Sequence, residues 1–121
     1  MVFNYNNPKE VVATGGGDIT VTGTAGSIYG IFVSNTDFLA SAGNTTLDGG
    51  AYGVRFLIDG CTLGALAGSS VTSSAANIKL IGNAVTFDIA TAIATTGTMT
   101  IEPSGTSFSS PLTYPIANMT V

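Results

Sequence analysis

Apolar and polar residues alternate with a period of two along most of this chain. The alternating stretches are short, rich in β-branched residues and separated by Gly, Asn, Asp or Ser. A period of two places successive side chains on opposite faces of an extended backbone, so the pattern commits the chain to sheets and leaves little room for helix. At 121 residues it suits one domain with a buried core.

Individual strands can be placed. Ile19 and Val21 share one face against Asp18, Thr20 and Thr22, after a run of three glycines, Gly15-Gly16-Gly17, that reads as a hinge. Ile28 to Val33 is apolar on both faces apart from Gly30, as in a strand covered on both sides. From Asn35 to Ala51 the periodicity fades, and the segment reads as a long exposed connection. Tyr52, Val54, Phe56 and Ile58 then oppose Gly53, Arg55, Leu57 and Asp59. Cys61 to Ala67 fits either a strand or a helical turn, and Ser69 to Ala76 a loop or an edge strand. Asn77 to Ile81, a Gly82-Asn83 turn and Val85 to Ile89 together read as a hairpin. Thr98 to Glu102 is a further strand ended by Pro103, and the apolar tail after Pro111 is expected to dock as a last strand. Tyr29-Gly30-Ile31 and Tyr52-Gly53-Val54 recur 23 residues apart, which one pair alone leaves open between coincidence and duplicated local geometry.

Seven to nine short strands separated by turn clusters predict an all-β fold, an antiparallel β-sandwich or jelly roll, with a short extended N-terminal arm. In that reading residues 1–17 are the arm and Gly hinge, and residues 18–121 form a single β-sandwich domain.

Composition removes several functions. A net charge of −4 with three cations, Lys9, Arg55 and Lys79, cannot neutralise the several phosphates from which nucleic-acid affinity mostly arises. No run of apolar residues approaches a membrane span, and the polar N-terminus does not read as a secretory signal. Without His there is no Ser-His-Asp or Cys-His relay and no common zinc set. Cys61, the single cysteine, reads as a small buried hydrophobe.

The acids Asp37, Asp48, Asp59, Asp88 and Glu102 could in principle supply a carboxylate pair for glycoside hydrolysis. Each, however, stands beside a turn glycine or on the polar side of a strand, where it serves solubility or the turn. Asp48-Gly49-Gly50 and Asp59-Gly60 likewise read as turns, because a regular calcium loop is missing. The glycine run lacks the Lys-Ser or Lys-Thr of a phosphate cradle. The residues thus predict no enzyme, no cofactor and no metal.

The polar stretch Val2 to Glu10 carries two aromatic anchors and a cation, Phe3, Tyr5 and Lys9, and these are the candidate partner-binding residues. With its Thr-, Gly- and Ala-rich β body and strands such as Ile28 to Asn35 and Tyr52 to Gly60, the chain resembles the small decoration or cement proteins of tailed bacteriophage virions. That resemblance implies a non-enzymatic virion protein on the capsid surface, often trimeric, that stabilises the shell by bridging major capsid subunits. Apart from the resemblance, the surplus of apolar residues on strands and tail predicts a homo-oligomer, most simply a cyclic trimer. The alternative is a carbohydrate- or receptor-binding β module of a tail, fibre or adhesin, using the segments Asn35 to Ala51 and Ser69 to Asn77.

Overall fold

A computed structural model describes residues 2–3, 9–23, 29–56, 61–88, 90–110 and 119–120. Its strands are β1 (Val2–Phe3), β2 (Lys9–Ala13), β3 (Ile19–Thr22), β4 (Ile31–Val33), β5 (Thr36–Ala40), β6 (Asn44–Asp48) and β7 (Val54–Phe56). There follow β8 (Cys61–Gly64), β9 (Asn77–Ile81), β10 (Val85–Phe87), β11 (Thr91–Ala94), β12 (Met99–Glu102) and β13 (Met119–Thr120). A single 3-10 turn, Gly50–Tyr52, is the one helical element among the described residues.

Every strand pair is parallel. Sheet 1 runs β1-β4-β7-β10, sheet 2 runs β2-β5-β8-β11-β13 and sheet 3 runs β3-β6-β9-β12. The chain therefore visits sheets 1, 2 and 3 in turn and returns to sheet 1 one strand further on, completing three circuits between β1 and β10. This is a β-solenoid. The expected antiparallel sandwich or jelly roll is incorrect, for a physical reason. Alternation reports which side chains point inward, and it reads the same whether the neighbouring strand lies in the next segment or a full circuit away. Here the ladder partner is a circuit away, 21 residues on for Ile78 and Met99 and 33 for Asn44 and Asn77.

Three local expectations change with the topology. The N-terminal segment is not an extended arm, because β1 pairs with β4 and β2 with β5 as the first strands of sheets 1 and 2. Gly15 and Gly16, at φ 71° and 90°, form the corner between β2 and β3. The supposed connection from 35 to 51 holds β5 and β6, with Phe38, Leu39, Ala40 and Leu47 all fully buried. Its pattern is obscured because two inward positions are threonines, Thr36 and Thr45. Gly82 and Asn83 do not close a hairpin; they turn the chain from sheet 3 to sheet 1, so β9 and β10 are not ladder partners.

The core lies inside the three-sided tube and is built from rows of like residues stacked along its axis. On sheet 1, Ile31, Val54 and Val85 form one row and Val33, Phe56 and Phe87 another. The Phe56 and Phe87 rings stack 5.0 Å apart at 8°. On sheet 3 the rows are Ile19, Thr45, Ile78, Met99 and Val21, Leu47, Leu80, Ile101. Cys61 faces this core at 2% exposure.

The 23-residue recurrence is one circuit of the tube: Ile31 pairs with Val54, and the N–H of Gly30 donates to the carbonyl of Gly53 at 3.0 Å. Gly53 sits at φ 85°, and a Cβ there would run into the carbonyl of Ala84 on the next circuit. Glycine is what lets successive corners close onto each other.

Residues 65–76 form the longest described interruption, a strap between β8 and β9, where the sequence reads Ser69 to Ala76 as a loop or an edge strand. Ser69 Oγ bonds the carbonyls of Leu66 and Val71 to shape it. The N–H of Ala75 donates to Ser41 O and that of Thr96 to Ser74 O, both at 2.9 Å, which ties the strap to the circuits before and after it. Leu39, outward by strand alternation, is fully buried, and Val71 of the strap is 2% exposed; both lie apart from the main core.

Candidate functional site

A solenoid exposes the outer faces of its sheets, and here the three faces differ in chemistry. On sheet 1 the outward row is Val2, Phe32, Arg55 and Thr86, in register on adjacent strands. Tyr29, two residues before β4, brings its ring to 6.2 Å from that of Phe32. The Arg55 guanidinium lies 5.1 Å from the Tyr29 ring centroid, within cation–π range, and its Nη1 donates to Tyr29 Oη at 2.8 Å. Its Nε donates to the Asp88 carboxylate, just after β10. That hydrogen bond, with the charge of Asp88, pushes the already high pKa of Arg55 further up.

Two groups, from the circuits before and after its own, thus fix one guanidinium. The outward row ends in Val2, 70% exposed, and Tyr52, in the turn before β7, is 44% exposed. Tyr52 repeats the position of Tyr29 one circuit later, two residues before the paired Ile31 and Val54.

Sheet 2 carries two outward rows. One is Glu10, Asp37, Thr62, Ala92 and Thr120, and Asp37 Oδ1 accepts the Thr62 N–H at 2.8 Å; the other is Val12, Leu39, Gly64 and Ala94, with Val12 41% exposed. Sheet 3 is polar, with a groove of about 520 Å³ running across β3, β6, β9 and β12 between rows of Asn, Thr and Lys side chains.

Of the sequence-predicted partner-binding residues, Phe3 lies in β1 opposite Val33, and Lys9 is exposed at the start of β2 opposite Thr36. They belong to different sheets. Tyr5 lies outside the described residues. The candidate acids are dispersed as well: Asp48 Oδ1 accepts the Gly50 N–H at 2.9 Å, and Glu102 lies 3.7 Å from Lys79 Nζ on sheet 3. With Asp37 on Thr62 and Asp88 on Arg55, each described member of the set has a protein partner; Asp59 lies outside the described residues. Among the described residues no three His, Cys, Asp or Glu gather as metal ligands.

The chain matches no family model, no curated protein and no solved structure. The sheet 1 face therefore rests on its own geometry.

Sequence reasoning missed that cluster. The sequence predicts that Ile28 to Val33, Tyr29 included, is covered on both sides, whereas the Tyr29 ring lies beside Phe32 and Arg55 on the outer side. One signal was available: a 23-residue circuit aligns Phe32 with Arg55 and Tyr29 with Tyr52. What the arrangement can do chemically is hold another surface, through flat aromatic and aliphatic area around an anchored cation whose charge is already balanced.

Proposed function

We propose that this chain is a non-enzymatic structural protein that clamps onto other protein through the outer face of sheet 1. The setting is the one its resemblance implies, a self-associating decoration protein on a capsid surface that bridges major capsid subunits. One observation supports this reading above the others. A guanidinium fixed by Tyr29 and Asp88 sits beside Phe32 on an outward row that ends in exposed Val2, and Tyr52, in the turn before β7, is exposed as well.

Tyr and Arg are the residues that most often dominate protein interfaces, and a side chain already held in place loses little entropy on docking. The parallel ladder adds rigidity, since Phe32 on β4 and Arg55 on β7 each have a strand on either side. Charge contributes little to the contact, because Arg55 and Asp88 neutralise one another, so binding is expected to depend weakly on salt.

The test is co-sedimentation with matching capsids that lack the protein. Wild type should pellet with the shell, and Arg55→Ala or Tyr52→Ala should weaken binding by about 30-fold, the equivalent of a 2 kcal/mol interface anchor. Full binding by both variants, or none by the wild type, overturns the assignment.

A further inference from the structure

We propose that the outer face of sheet 3 is a binding groove for an uncharged, linear polysaccharide lying along the solenoid axis. The proposal is independent of the sheet 1 interface, since the two faces share no residue.

The groove crosses four parallel strands, so its functional groups repeat at the strand spacing of about 4.8 Å over about 14 Å. One wall is a fixed row. Asp18 Oδ1 accepts the Asn44 N–H at 2.8 Å, Asn77 Nδ2 reaches Asn44 Oδ1 at 3.5 Å, and Asn77 Oδ1 accepts both the N–H and the hydroxyl of Thr98 at 3.0 Å. These bonds hold the wall's side chains in place before any ligand arrives.

The other wall is Thr20, Thr46, Lys79 and Thr100, in register on β3, β6, β9 and β12. The three threonine hydroxyls make no hydrogen bond to any described residue, so they face the groove with donor and acceptor capacity unspent. Lys79 is balanced by Glu102, and Asp18 at the groove's edge accepts the Asn44 N–H, so there is no excess positive charge to select an anion and a carboxylate to repel one.

The spacing chooses among elongated ligands. An extended peptide presents same-side groups every 6.6 to 6.8 Å or so and falls out of step with the strands. A nucleic acid needs several cations, and the groove offers one, already paired. In a chain of β-linked pyranoses whose rings alternate in orientation, same-side hydroxyls recur at about two strand spacings, in step with every second strand, and each can give and take hydrogen bonds.

Affinity electrophoresis of the full chain in gels containing soluble hydroxyethylcellulose, xylan or mannan tests this, with alginate as the charged comparison. At least one neutral polymer should retard the wild type. Thr46→Val, which keeps shape and removes one hydroxyl, should raise the dissociation constant about three- to tenfold, and Lys79→Gln should weaken it further. Thr72→Val, on the exposed strap, should match wild type. No retardation by any neutral polymer, retardation unchanged in Thr46→Val, or retention only by alginate and only at low salt would each overturn the proposal.

Discussion

Replacing Thr45 by Val should make the protein more stable, although it removes a polar group from the middle of a strand. Thr45 points inward from β6, its ladder neighbours are Ile19 and Ile78, and it is fully buried. Its Oγ1 has no hydrogen-bond partner among the described residues. Burying such a group costs about 1–3 kcal/mol, and a methyl in its place adds up to about 0.8 kcal/mol of apolar burial. Val and Thr have the same branching and suit a strand equally, so backbone terms cancel. Allowing for imperfect packing of the new methyl, the expected gain is about 1–2 kcal/mol, a melting temperature higher by roughly 4–8 °C for a domain of this size. Urea unfolding should show the midpoint rising with an unchanged slope.

A paired variant makes the reasoning strict. Thr36 is equally buried, but its Oγ1 donates to Ser34 O at 2.9 Å, so Thr36→Val should lose about 1 kcal/mol. Destabilisation by Thr45→Val, or equal shifts in the two variants, would refute the claim that hydrogen bonding separates these two core threonines.

Other expectations follow from single contacts. Gly53→Ala should destabilise by more than about 3 kcal/mol in chemical denaturation, because it combines a positive φ with a clash against the Ala84 carbonyl; a loss below about 1 kcal/mol would show the corner can open. Cys61, at 2% exposure, should react with a thiol reagent only at the rate of unfolding, so labelling in native buffer as fast as in urea would contradict its inward placement. Arg55→Met should change stability by less than about 1 kcal/mol, since an ion pair at 30% side-chain exposure contributes little, while capsid binding falls; a large loss of stability would make Arg55 structural.

Much of the strand inventory could be read from the chain. Val54 and Phe56, Val85 and Phe87, Ile78 and Leu80 all face inward where alternation put them. Strand direction could not be read, because a parallel and an antiparallel neighbour impose the same period on a single strand. The circuits also differ in length, and the strap inserts residues into one of them, so the repeat surfaces only in the Tyr-Gly pair. Core threonines then hid two strands, Thr36–Ala40 and Asn44–Asp48, since a residue-type pattern counts Thr as polar wherever it points. The outer face of sheet 1 is half legible: alternation sets Arg55 opposite the inward Val54 and Phe56, but its contact with Tyr29 depends on stacking across circuits.

The strap carries a practical consequence. It adds a dozen residues between β8 and β9 while the ladder on both sides keeps its register, β6 on β9 and β8 on β11. Thr72 and Ser73 at its outer part are exposed. A foreign peptide grafted between them would meet a scaffold that already tolerates a long detour, so the passenger should leave the ladder on either side intact.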